Sequence, residues 1–254
     1  MPKYAANIEL LYTQYSDYAA RIRAAAKDGF EAVEMWMTSM HDLPTLATAA
    51  KESNVRFSSV LAEPRFSPTM PGVDMEVFYQ GLRDSIANAK ILGAPRVVLG
   101  SGMGFPGKKR QAQLDELVGV FKQAASIAEE ADIELVLEPV NTRVDHPGAL
   151  LDRTSEAVYI ARNVASPNFK ILYDIYHSSV EGENAVEQLE ENRDVIGYIQ
   201  LADAPGRGEP GSGSIDWEAV LEAVDRSGYS EVVGLEYYPT TDTTQSLSYL
   251  QNLK

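Results

Sequence analysis

Apolar and polar positions alternate in blocks along the whole chain. Short apolar runs rich in β-branched and aromatic side chains take turns with longer stretches whose apolar positions recur every three to four residues. The first kind reads as a buried parallel strand, the second as an amphipathic helix covering it. Strands are predicted over Tyr4–Glu9, Ala32–Trp36, Val55–Leu61, Arg96–Gly100, Ile133–Glu138, Phe169–Asp174, Val195–Gln200 and Val232–Glu236. Helices are predicted over Tyr18–Asp28, Leu43–Ser53, Asp74–Leu92, Gln111–Ala131, Ser155–Val164, Asn184–Asn192, Trp217–Ser227 and Thr244–Asn252. Gly29, Gly93 and Gly228 read as helix stops, and Thr154-Ser-Glu and Ser214-Ile-Asp216 as helix starts.

Eight such alternations in 254 residues match a closed α/β barrel, a (β/α)₈ or TIM barrel, whose usual length is about 250 residues. The expectation is one domain over residues 1–254, with no linker or low-complexity tract. The competing layout, a doubly wound open sheet, usually carries a glycine-rich phosphate turn after its first strand. Here Glu9-Leu-Leu-Tyr-Thr13 stands in that place.

Four of the runs stop at a metal-capable side chain: Ile133-Glu-Leu-Val-Leu-Glu138, Phe169-Lys-Ile-Leu-Tyr-Asp174, Val195-Ile-Gly-Tyr-Ile-Gln200 and Val232-Val-Gly-Leu-Glu236. Parallel strands all end on one side, so closure of the sheet would gather Glu138, Asp174, Gln200 and Glu236. The long predicted loops, Ala62–Val73, Ser101–Arg110, Pro139–Arg153 and Ala202–Asp216, follow strands on that same side, where barrels build their active sites. Three carboxylates and an amide oxygen suit a hard divalent ion, Mg²⁺ or Mn²⁺. Any one of them alone would read as a helix cap or a surface ion pair. Together, and without a cation, they would repel.

Other candidates carry two readings each. His177, three residues after Asp174, can bond a substrate hydroxyl or move a proton, or be a satisfied loop histidine. Arg207 can clamp a substrate carboxylate, or pair with Glu209 or Asp203. Gly100-Ser-Gly-Met-Gly104, with Lys108, Lys109 and Arg110 nearby, is a weak phosphate cradle or a plain turn. Trp36 and Phe66 are pocket walls or core. His41 and His146 have no partner that spacing can name.

Composition narrows the field. The chain has no cysteine, which excludes disulfides, thiolate metal sites and cysteine nucleophiles. It has no Gly-x-Ser-x-Gly elbow for serine chemistry. A net charge of −15 disfavours nucleic acid as a partner. No apolar run approaches the roughly 20 residues of a membrane helix, and Met1–Asn7 lacks the apolar core of a signal peptide. A cytoplasmic protein without membrane partners is expected.

Leu137-Glu-Pro-Val-Asn-Thr-Arg-Val-Asp145, Tyr173-Asp-Ile-Tyr-His177, the stretch Ile199–Gly211 around Gln200 and Arg207, and Gly234-Leu-Glu-Tyr237 resemble the hydroxypyruvate isomerase family of xylose-isomerase-like barrels. Tyr4-Ala-Ala-Asn7 is similar too, and the likeness is most specific from Ile133 to Tyr238. The resemblance implies one divalent cation held by Glu138, Asp174, Gln200 and Glu236, and no organic cofactor. It implies Glu138 and Glu236 as the proton-transfer pair, with His177 and Arg207 on the substrate. The implied reaction isomerises a small hydroxy-oxo acid or keto sugar through a cis-enediolate. The rivals are a keto-sugar 3-epimerase, a dehydratase of a polyol or keto acid, and an inert metal-binding barrel acting as a sugar-acid sensor or complex subunit. Keto-sugar epimerases of this superfamily usually carry His where this chain has Gln200. Its DNA-repair endonucleases need many histidines, and this chain has three. The loops Met35–Met40 and Leu61–Pro71 depart from the family pattern and leave the substrate open. A small homo-oligomer is the expected assembly.

Overall fold

Eight parallel strands pair in chain order in the computed structural model, which describes residues 3–252. Residues 1–2 and 253–254 of the expected domain span lie outside the described residues. The strands are β1 (Tyr4–Asn7), β2 (Ala32–Glu34), β3 (Arg56–Leu61), β4 (Arg96–Gly100), β5 (Glu134–Glu138), β6 (Phe169–Asp174), β7 (Ile196–Leu201) and β8 (Val233–Leu235). β8 returns to pair with β1 and closes the barrel. Between them run α1 (Tyr18–Lys27), α2 (Leu43–Glu52), α3 (Met75–Leu92), α4 (Arg110–Ala131), α5 (Thr154–Val164), α6 (Ile175–Glu181), α7 (Ala185–Glu191) and α8 (Trp217–Ser227), with α9 (Thr243–Ser246) and α10 (Ser248–Asn252) after the last strand. The barrel expectation holds.

Side chains alternate across each strand, and this period of two builds the site. Ala5, Ala32, Val98, Val136, Leu172, Tyr198 and Val232 form one cluster, with the partly buried Leu61 against it. Their neighbours on the same strands, such as Leu135, Leu137, Ile171, Tyr173 and Ile199, belong to a larger cluster that includes the helix faces. The smaller cluster is a packed interior layer, as barrels of this type require. Two residues further along, on the same face, stand Asn7, Glu34, Gly100, Glu138, Asp174, Gln200 and Gly234. Glu236 continues that face past the end of β8. The polar ring is the next layer of the barrel, set on an apolar floor.

Two elements depart from expectation. Ile175–Glu181 forms α6 where a loop was expected, because a seven-residue helix is too short to show a period. Its start is fixed by Asp174, whose Oδ1 accepts from the backbone N–H of Tyr176 (2.7 Å) and of His177 (3.2 Å). The last helix divides into α9 and α10. Gly93 and Gly228 cap helix ends at φ of 71° and 79°, as read from sequence. Asp216 caps α8, but Thr154 sits inside α5 and spends its hydroxyl on Glu183 (2.6 Å).

The loop from β7 to α8 is held by Asp203, which is fully buried. Its carboxylate accepts from the backbone N–H of Ala204 (2.9 Å), Gly211 (2.7 Å) and Ile215 (3.2 Å), and from the Trp217 indole (2.8 Å). Removal of a buried acceptor strands all four donors. Asp203→Ala is expected to cost about 3 kcal/mol of stability, read as a lowered urea midpoint with unchanged slope. A loss under about 0.5 kcal/mol would show that the loop needs no such hub.

Candidate active site

The expected residues meet at the carboxyl end of the barrel. Glu138, His177, Gln200, Arg207 and Glu236 line one cavity of about 590 Å³, together with Asn7, Glu34, Trp36, Arg65, Asp145 and His146. Register explains part of this: Asp174 is level with Gln200, and Gln200 with Gly234, across adjacent strands. One oxygen each from Glu138 and Asp174 and a ring nitrogen of His177 lie within 4.8 Å of one another.

Two fully buried oxygens in this ring have no protein partner. Asp174 uses Oδ1 on the helix start and leaves Oδ2 buried and unbonded. The helix-cap reading of Asp174 is therefore correct for one oxygen only. Gln200 gives its Nε2 to Glu34 Oε1 (2.8 Å) and leaves Oε1 buried and unbonded. A buried polar atom without a partner costs free energy unless a ligand satisfies it.

His177 is a donor toward this centre. Its Nδ1 lies 3.1 Å from the backbone N–H of Asn141 and 2.7 Å from the Asn141 amide nitrogen. A backbone N–H can only donate, so Nδ1 is the bare nitrogen and Nε2 carries the proton of the neutral ring. Nε2 stands 3.8 Å from both Glu138 Oε1 and Asp174 Oδ2. Burial, more than the partly opposing nearby charges, brings the imidazole down to about 4. The neutral ring thus offers an N–H, not a lone pair, to whatever lies between the carboxylates. In this tautomer the ring presents no lone pair to a metal, although its position beside two carboxylates is that of a possible ligand.

Glu236 is fixed on three sides. Trp36 donates its indole N–H to Oε1 (2.6 Å), Asn7 approaches the same oxygen (3.4 Å), and Arg207 donates to Oε2 (3.1 Å). Neither Glu209 nor Asp203 is the partner of Arg207. Asp203 is occupied by the four donors of its own loop, and Glu209 bonds Thr240. Arg207 also lies over the Tyr176 ring at 5.3 Å and keeps Nε buried and unbonded. Its backbone has a φ of 54°, a left-handed turn inside the Asp203 loop.

The remaining expectations sort by geometry. Trp36 and Phe66 are walls of the cavity. His146, which spacing could not place, lines it with its ring 5.4 Å from that of His177. His41 stacks on Tyr18 at 4.2 Å. The glycine turn after β4 also lines the cavity, but two of the three cations near it are spent elsewhere. Lys108 pairs with Glu116, and Arg110 with Asp152 and Glu156. Sequence reasoning missed Asn7, Glu34 and Asp145. Asn7 and Glu34 carry the same signal as Glu138, a polar residue two positions after an inward apolar one.

Burial, then the Asp174 charge, pushes the Glu138 carboxyl up to about 8. Burial raises Glu236 well above its usual range, against the pull of Arg207. Burial also raises Glu34. Charge of one sign held out of water behaves this way, and a divalent cation reverses the effect. The residues therefore fit a cation: two unpartnered buried oxygens, two glutamates nearby, and a donor set made of oxygen, which suits a hard ion.

Over residues 22–253 the chain matches the family described as the xylose isomerase-like TIM barrel. It is 33% identical over 262 residues to a putative hydroxypyruvate isomerase of Homo sapiens, an alignment covering 98% of this chain and 94% of that protein. The chain belongs to the hydroxypyruvate isomerase family. Other relatives agree on the isomerase class. A hydroxypyruvate isomerase of Escherichia coli strain K12 is 32% identical, covering 98% of each protein. A 2-oxo-tetronate isomerase of Cupriavidus necator is 28% identical, covering 99% of this chain and 98% of that one. Among solved structures, an AP endonuclease of family 2 from Brucella melitensis superposes with a TM-score of 0.91 at 24% identity, covering 99% of this chain and 98% of that one. The IOLI protein, described with a bound zinc atom, superposes at 0.83 with 18% identity, covering 100% of this chain and 96% of that one. At such identities these two structures share the fold with this member of the family, and the zinc is a property of that protein.

The tautomer assignment has a direct check. In ¹⁵N-labelled protein at neutral pH, His177 is expected to show a protonated Nε2 and a bare Nδ1. A proton on Nδ1 would make Nε2 a lone-pair donor and add His177 to the candidate metal ligands.

Proposed function

We propose that this chain is a metal-dependent isomerase that interconverts a small α-hydroxy-carbonyl acid, of the hydroxypyruvate or 2-oxo-tetronate kind, through an enediolate. One observation carries the reading. Glutamates from β5 and from the end of β8 face a cavity that Gln200 also lines, Asp174 stands beside Glu138 and level with Gln200, and one buried oxygen each of Asp174 and Gln200 lacks a partner. Paired carboxylates with raised pKa values are the means by which a protein moves protons between carbons at neutral pH. The names of the relatives supply the substrate class.

Glu138, Asp174, Gln200 and Glu236 are the residues that would hold the cation, Mg²⁺ or Mn²⁺. When bound it would supply Lewis-acid polarisation of the substrate carbonyl. The chain's own groups do the rest. One of Glu138 and Glu236 takes the proton from the hydroxyl-bearing carbon, and the same or the opposing carboxyl returns a proton to the former carbonyl carbon. The hydroxyl proton ends on the other oxygen, so the redox change is internal and no organic cofactor is needed. The His177 Nε2–H is placed to donate to a substrate oxygen. Arg207 holds Glu236 still through its ion pair and keeps further donors for the acid group. Arg65, exposed on the cavity wall, is the second cation in that wall. The volume lies within the roughly 300–1,000 Å³ of typical ligand pockets, which leaves room beyond a three-carbon acid.

The test is a Mn²⁺- or Mg²⁺-loaded screen of hydroxypyruvate, 2-oxo-tetronates and ketohexoses, with products read by NMR. Isomerised hydroxy-oxo acid is expected, with solvent deuterium on the product carbon in D₂O unless the transfer is shielded. Inverted sugar or loss of water would indicate the epimerase or the dehydratase instead. Chelation should abolish turnover, and full activity without metal would overturn the mechanism. Glu138→Gln and Glu236→Gln should each lower kcat by at least about 100-fold; a loss below about threefold in either would remove that residue from proton transfer.

A further inference from the structure

Glu34 is the most hydrogen-bonded side chain of the polar ring, and the proposed chemistry gives it no step. It is 1% exposed. Its Oε1 accepts from Gln200 Nε2 (2.8 Å) and Asn7 Nδ2 (3.1 Å), and its Oε2 from the Tyr198 hydroxyl (2.6 Å) and Ser59 Oγ (3.3 Å). Tyr198 in turn lies 2.9 Å from Ser58 Oγ, which also reaches the Val33 carbonyl (3.1 Å). Donors from three strands, β1, β3 and β7, thus converge on one carboxylate carried by β2. We propose that Glu34 is a positioning residue that selects the orientation of the Gln200 amide, so that an oxygen and not an NH₂ group faces the cation site.

Given the cation reading above, elementary amide chemistry decides which end of Gln200 faces the site. A primary amide has two ends of nearly equal size, and rotation by half a turn exchanges them. With Nε2 on Glu34, Oε1 is the free end. The reverse orientation would put the amide carbonyl against a carboxylate oxygen, two acceptors with no proton between them, and would aim two N–H groups at a cation. Asn7 Oδ1 accepts from the Glu9 backbone N–H (3.0 Å), so the Asn7 amide nitrogen donates to Glu34 Oε1, and an oxygen that already accepts there admits one orientation of Gln200 only. The same oxygen holds Asn7, whose amide nitrogen also approaches Glu236. Glu34 therefore orders a neutral ligand directly and a carboxylate ligand through one intermediate.

An independent feature of the chain makes room for this pair. A Cβ at Gly234, on β8, would lie 2.6 Å from Glu34 Oε2, 2.8 Å from Gln200 Cγ and 2.9 Å from Glu34 Cδ. Real side chains do not approach so closely. Glu34 and Gln200 can lie against each other only because β8 presents a bare backbone there.

The experiment measures Mn²⁺ affinity by titration calorimetry in wild type, Glu34→Gln and Glu34→Leu, with folding checked by circular dichroism and Tm. Both variants lose the charge, so the difference between them isolates the acceptor. Glu34→Gln can still offer an oxygen to Gln200 while its NH₂ turns to Tyr198. Partners that orient metal ligands are typically worth about 10–100-fold in affinity. Glu34→Leu is therefore expected to bind Mn²⁺ at least about tenfold more weakly than Glu34→Gln. Equal affinities in the two variants would overturn the proposal and leave Glu34 as charge alone. If Glu34→Leu does not fold, Gly234→Ala keeps both polar groups but forces them apart, and a drop of about tenfold in Mn²⁺ affinity is expected. Unchanged affinity in that variant would equally overturn it. Failure of the wild type to bind Mn²⁺ or Mg²⁺ would instead remove the cation reading, and this inference with it.

Discussion

Negative charge held away from water at one end of the barrel is the constraint that shapes the rest. Glu34, Glu138, Asp174 and Glu236 stand close together, and burial raises the pKa of the three glutamates. The protein answers with the groups around them. Arg207 faces Glu236, the Trp36 indole and Asn7 reach the same residue, and Tyr198, Ser59 and the two amides satisfy Glu34. What these groups leave open is the Glu138 carboxyl and two fully buried oxygens, Asp174 Oδ2 and Gln200 Oε1. In the proposed reading the unmet charge and the unmet lone pairs are answered by the same cation.

The barrel makes that arrangement rigid. Each site residue on a strand stands two positions beyond an apolar side chain of the interior layer, so the polar ring inherits its geometry from a packed floor. Residues that meet the cation in this reading lie on or directly after strands. Arg65, Asp145, His146 and Arg207, which face the substrate space, lie on loops. Arg207 is the exception among loops in its stiffness, because Asp203 ties its segment with four bonds and its guanidinium is clamped between Glu236 and the Tyr176 ring. Chemistry on strands and selectivity on loops lets one scaffold keep a reaction type while substrates vary.

Histidine 177 shows how a small contact decides a role. By distance it belongs to the carboxylate cluster. By its bond to the Asn141 backbone it has already spent the lone pair that a metal would need. A backbone N–H cannot reverse its polarity, so that one interaction assigns the ring to donation.

The sequence by itself determined the fold and the main ring. Eight apolar runs of strand length imply a barrel, and in a parallel sheet the residue types at their ends must share one rim, so Glu138, Asp174, Gln200 and Glu236 could be named without coordinates. Asn7 and Glu34 carried the same period but stood on shorter runs, and an asparagine or glutamate after two or three apolar residues is too common a pattern to single out. The partner of Arg207, the tautomer of His177, the place of His146 and the direction of the Gln200 amide depended on the tertiary structure. Each is set by atoms far apart in the chain, Glu236 for Arg207, Asn141 for His177 and Glu34 for Gln200, and spacing along a sequence holds no information about which of several nearby acceptors a flexible side chain will meet.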